Sequence, residues 1–227
     1  MQLKPAIAAI ALLSAVSAAS ALTMENNGAY TVEYDETTLF GGLSGSFTSA
    51  LEHGFNWNVP DDVQVVSDGG LVEMEFDLPS FTVTANPGWA LSDPRGFLGQ
   101  IVFTEFGGAF TSMSISAEVS IDGATAVTLG DTVDWQVTGS VPQIDYYTGY
   151  FAETWSATGG FTTLSVSNAT LTLTAEGGSL GAITAQDQNQ LRVSFNVSAV
   201  PEPETYSMML AGLGALGWMA RRRRTQG

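Results

Sequence analysis

Apolar and polar residues trade places at every step through window after window of this chain. So strict a period of two leaves little but β-strands to build with. Tyr30, Val32 and Tyr34 alternate with Thr31, Glu33 and Asp35, and Val72, Met74, Phe76 and Leu78 with Glu73, Glu75 and Asp77. Ile115, Ala117, Val119 and Ile121 face away from Ser114, Ser116, Glu118 and Ser120. Val133, Trp135 and Val137 oppose Asp134, Gln136 and Thr138, and Leu191, Val193, Phe195 and Val197 oppose Arg192, Ser194, Asn196 and Ser198. Each such strand has one dry and one wet face, as two antiparallel sheets packed on a shared core require.

Turn signals separate the runs: Gly41-Gly42, Asp68-Gly69-Gly70, Asn86-Pro87-Gly88, Asp122-Gly123, Gly159-Gly160 and Glu176-Gly177-Gly178. Asp122-Gly123 predicts a two-residue hairpin. Parity breaks near Ser167, because Thr162, Leu164 and Val166 point one way and Ala169, Leu171 and Leu173 the other; this predicts a β-bulge. The stretch from Ser80 to Gly99 is the least regular and reads as a long loop over one edge. No middle segment has a helical period, and no fixed repeat supports a β-solenoid. The predicted fold is all-β, an antiparallel β-sandwich of jelly-roll type, flanked by an N-terminal signal helix and a C-terminal transmembrane helix.

Charge narrows the partners. Between the two ends, residues 22–199 hold 21 acids and only two bases, Arg95 and Arg192, a net charge near -19. Such a surface repels phosphate backbones, so nucleic acid is excluded as a partner. There is no cysteine, which rules out thiol catalysis and cysteine metal sites. A domain of this size buries enough apolar area to do without disulfides outside the cell.

The ends carry the address. Lys4, the apolar run Ala6 to Val16 and the Ala19-Ser20-Ala21 site make residues 1–21 a signal peptide, with cleavage by signal peptidase expected before Leu22 and Val16-Ser17-Ala18 as the alternative site. Residues 22–199 form the acidic domain, and residues 200–227 form a tail. In that tail Pro201-Glu202-Pro203 precedes an apolar stretch from Tyr206 to Ala220, followed by Arg221, Arg222, Arg223 and Arg224. The prolines keep the motif extended and open to a protease. The apolar helix, roughly 24 Å long, is short against a ~30 Å hydrocarbon core. The arginines hold its end on the cytoplasmic side. This order resembles the PEP-CTERM sorting signal, a tail also classed with an ice-binding protein C-terminal domain. The resemblance implies recognition by an exosortase-like, membrane-embedded processing enzyme, transient anchoring through the helix, and association with exopolysaccharide or biofilm.

No catalytic residues are assigned. His53 is the one histidine, and no G-x-S-x-G elbow accompanies it. Glu73, Glu75 and Asp77 alternate as the solvated side of a strand does. Asp61, Asp62 and Asp68 are weak candidates for a structural calcium ion, the one cofactor considered. Aromatic platforms hold sugars, and Trp57, Trp89, Tyr146, Tyr147, Tyr150 and Trp155 are available. Of these, Trp89, Tyr146 and Tyr147 lie among turn-forming neighbours and are the candidate carbohydrate contacts. The expected function is that of an exported, non-enzymatic cell-surface or matrix protein that binds envelope polysaccharide. The alternatives are a secreted polysaccharide-active enzyme and an adhesive or ice-binding surface, for which Thr170, Thr172 and Thr174 supply one short row.

Overall fold

Period-two patterning is realised as two antiparallel sheets of seven strands that enclose one core. The computed structural model describes residues 22–49, 52–136, 142–151, 160–185, 190–200 and 207–216. The signal segment, Pro201-Glu202-Pro203, Trp155 and Arg221 to Arg224 lie outside these.

The first sheet runs β1 (Leu22–Asn26), β2 (Tyr30–Asp35), β7 (Phe81–Ala85), β12 (Thr163–Glu176), β9 (Phe110–Ile121) and β10 (Val127–Gln136), with β6 (Val72–Asp77) also on β12. The second runs β3 (Gly45–Thr48), β4 (His53–Asn58), β14 (Gln190–Ala199), β8 (Trp89–Phe106), β13 (Leu180–Ala185) and β5 (Gln64–Ser67), with β11 (Gln143–Phe151) also on β8. Seven strands a side exceed the eight in all of a simple jelly roll.

Both sheets are organised about one long strand. Along one edge of β12, β7 pairs with its first half and β6 with its second, while β9 covers the other edge. Along one edge of β8, β14 pairs with the first half and β13 with the second, while β11 covers the other. Each long strand bends where its partner changes. In β12 the bend is the expected bulge: the register shifts between Ser167 and Thr170, and Asn168 takes φ +48°.

The 80–99 stretch is not a loop. It is β7, a short turn and the first half of β8. Opposite Phe195 of β14 stand two β8 residues, Asp93 and Pro94, with Asp93 at φ +47°. A second slip sets Gly99 and Gln100 against Thr148 of β11. Two bulges in one strand reverse parity twice, so no alternation survives for a sequence reading to find. Asp122 and Gly123, at φ +49° and +71°, do form a turn closed by Ala124 N–H to Ile121 O at 2.9 Å. Strand pairing resumes only at Val119 and Val127, one residue out of step, so the connection is longer than a two-residue hairpin.

The core is aromatic at one end. Tyr30, Phe55, Trp57, Phe81 and Phe195 from four strands meet largely edge to face, Tyr30 and Phe195 with centroids 4.8 Å apart at 87°. That geometry sets ring edges against ring faces, worth about 0.5–1.5 kcal/mol per pair beyond burial. Tyr30 is fully buried and donates to Gly54 O at 3.0 Å; burial, helped by the Glu25 charge, pushes its hydroxyl up to about 12.

A short helix, α1, covers residues 207–216 of the tail. Among the described residues no helix is long and apolar enough to cross a membrane.

Candidate functional site

Inward-facing Phe55, Trp57, Leu191 and Val193 turn their neighbours Gly54, Asn56, Arg192 and Ser194 to the outer face of the second sheet. Register then sets two rows across β3, β4, β14 and β8. One is Phe47, Gly54, Ser194 and Arg95; the other is Gly45, Asn56, Arg192 and Phe97. The only two basic side chains of residues 22–199 thus stand in adjacent rows of one face.

Arg192 is wedged between rings. Its Cζ lies 5.0 Å from the Phe47 centroid and 5.0 Å from that of Phe97. Cation–π attraction of this kind contributes about 0.5–1 kcal/mol at exposed sites. The stack needs the glycine beneath it. A Cβ on Gly54 would overlap the Val193 carbonyl oxygen and stand 2.5 Å from Phe47 Cζ. Arg192 Nε is buried without a hydrogen-bond partner, held by ring faces rather than by an acceptor.

Beside the stack, the Asp93–Pro94 bulge opens a cleft of about 460 Å³ lined by Glu52, Asp93, Arg95, Ser194, Asn196 and the edges of Phe195 and Val197. Asp93 Oδ2 accepts from Asn196 Nδ2 at 2.7 Å and from Ser92 Oγ at 3.3 Å. Glu52 Oε1 is buried without a partner, as is Nδ1 of the adjacent His53. Carboxylates, a guanidinium, an amide and a hydroxyl therefore converge on one hollow.

The residues singled out from sequence are scattered by comparison. Trp89 opens β8 opposite Ala199 and is 39 % exposed, but it does not line the cleft. Tyr146 and Tyr147 lie in β11 opposite Val102 and Ile101, their side chains outside the described residues. Trp57 is fully buried and belongs to the core. Asp61 and Asp62 form the turn before β5, and Asp68 follows it. Among the described residues no three carboxylates or histidines are grouped to hold a metal ion. Arg95, Glu52 and Asn196 were missed: nothing in the sequence brings them together, and only the rarity of arginine marked Arg95.

Two further features stand apart from the cleft. On the outer face of the first sheet, Thr170, Thr172 and Thr174 pair across with Ser116, Ser114 and Ser112, a block of six hydroxyls edged by Glu73, Glu75 and Asp77 of β6. At the far end of β8, Glu105 is fully buried, its Oε1 accepting from Thr111 Oγ1 and its Oε2 without a partner. Burial pushes this carboxyl up; the Thr111 bond opposes that and the Asp145 charge adds to it.

No curated protein matches the chain. Similar solved structures include the infectious bursal disease virus Gt strain, at 13 % identity and TM-score 0.20, matched over 77 % of this chain and 49 % of that one. The VP2 subviral particle of infectious bursal disease virus aligns at 12 % identity and TM-score 0.18, over 77 % and 53 %. The chain spans about half the length of these viral chains, and at such TM-scores the likeness says nothing of what it does. The tail is another matter: residues 199–224 match the family model of the PEP-CTERM protein-sorting motif, and this chain carries that motif, the mark of an exported protein processed by an exosortase-type enzyme.

Proposed function

We propose that this protein is a non-enzymatic surface or matrix component of a bacterial envelope, exported, trimmed at its tail and held on polysaccharide by the outer face of its second sheet. The sorting motif at 199–224 carries the first part of this reading. The cleft supports the second, since a few convergent polar groups beside apolar rings are how proteins orient small polar ligands. The experiment is an intact-mass measurement on protein recovered from membrane and medium. Loss of both ends, with a new C-terminus near Pro201-Glu202-Pro203, is the expected result. A chain that keeps Arg221 to Arg224 in every fraction would refute processing.

A second reading, a polysaccharide-active enzyme, is favoured by one observation: Glu52 and Asp93 share the cleft. A glycosidase needs one of its two carboxyls to carry a proton. Asp93 Oδ2 already accepts from Ser92 Oγ and Asn196 Nδ2, so that oxygen is engaged within the protein. Release of reducing ends from a polymer, abolished by Glu52→Gln, would establish the enzyme and displace the binding role.

A further inference from the structure

We infer that the cleft beside the Asp93–Pro94 bulge takes an uncharged, hydroxyl-rich sugar unit and rejects acidic polysaccharide. This deepens the polysaccharide reading and rests on it.

The charge pattern is the first ground. An anionic sugar would meet the carboxylates of Glu52 and Asp93 inside the cleft, and a domain near -19 around it. A cationic one would meet Arg95. A sugar hydroxyl meets neither obstacle, because it donates and accepts with the same oxygen. It can donate to Glu52 or Asp93 while accepting from Arg95 or Asn196. A neutral, amphoteric ligand uses both halves of this lining without setting a like charge against either.

Pre-organisation is the second ground. The left-handed backbone at Asp93 turns its carboxylate out of the strand, and Asn196 and Ser92 both bond Oδ2. The oxygen left for a ligand donor is Oδ1. Glu52 supplies the second carboxylate of the lining. Next to these groups the half-buried rings of Phe47 and Phe97, which flank Arg192, offer apolar surface for the C–H face of a pyranose.

The test is affinity electrophoresis of the mature exported protein through gels holding neutral polymers (glucan, mannan, galactan, xylan) or a polyuronate, at low and at physiological salt. Asp93→Asn and Arg95→Gln are run beside it; asparagine tolerates the left-handed backbone, so the first variant keeps the bulge. Unchanged thermal midpoints certify that both are folded. Retardation by a neutral polymer is expected, weakened about tenfold or more in each variant, with none by polyuronate. Retention by polyuronate at both salts, with neutral gels inert, would overturn the inference and leave polysaccharide binding standing. Neutral binding indifferent to both substitutions would overturn the cleft. Failure in every gel would remove the binding reading itself.

Discussion

Replacing Gly54 by alanine tests whether the outer aromatic stack and the core are built on one close backbone approach. The added Cβ would overlap the Val193 carbonyl oxygen and meet Phe47 Cζ at 2.5 Å. The phenylalanine ring can swing aside, but the carbonyl cannot, because β14 is clamped between β4 and β8. Relief requires β4 and β14 to separate by about 1 Å along a ladder whose hydrogen bonds have little slack. Overpacking of a fixed site costs about 1–3 kcal/mol, and here the upper half of that range applies. The unfolded chain loses freedom in the alanine variant, which returns about 0.4–1 kcal/mol. A net loss of roughly 2 kcal/mol lowers the midpoint of a domain this size by about 4–8 °C. Gly70→Ala is the control, since no atom lies within 4 Å of its Cβ position. Both variants are followed by calorimetry. A Gly54→Ala midpoint within about 2 °C of the Gly70→Ala midpoint would refute the close approach and the stack that depends on it.

Glu105→Gln addresses the buried carboxyl. Burial raises its folded pKa above the unfolded value, so its stabilising share is full below the ordinary glutamate range and is lost as pH rises through the raised value. The wild type should therefore lose urea resistance relative to the Gln variant as pH rises above the ordinary glutamate range; parallel curves would show that Glu105 is not proton-linked. Asp122→Ala removes three 2.8 Å bonds, from Thr162 N–H, Thr162 O–H and Thr163 N–H, which tie the β9–β10 turn to the start of β12. Partial burial pulls this carboxyl up, but the three donors prevail and lower it, so its share is present above the usual aspartate range and lost as pH falls through the lowered value. Because the group is solvent-exposed, the expected cost at pH 7 is about 1 kcal/mol. An Asp122→Ala variant as stable as wild type at pH 7, by urea titration, would exclude the tie.

How much of this was legible in sequence depends on parity. Strands β2, β6, β9 and β12 announce themselves because their alternation is unbroken or breaks once, and the bulge at Ser167 was visible as that break. Strand β8 reverses parity twice, at Asp93–Pro94 and Gly99–Gln100, and its proline and glycines read as loop chemistry. The candidate cleft was hidden for the same reason: it is made by the bulge. Its walls come from Glu52, β8 and β14, segments whose adjacency follows from pairing register and leaves no local trace. The tail needed no tertiary contact to be read, since its motif is linear.

Strand β14 is the last strand of the described sandwich, yet it sits inside the second sheet, between β4 and β8. Ala199 ends it opposite Trp89, Val200 N–H still bonds Gly88 O at 2.8 Å, and the sorting motif begins at residue 199. There is no slack between body and tail. A chain threaded outward N-terminus first cannot complete this sheet until its sorting motif is itself emerging, so the finishing of the fold and the display of the motif become one event. The same junction limits where the chain can be severed: a cut beyond Val200 spares every strand, whereas a cut a few residues earlier would pull the keystone from the sheet.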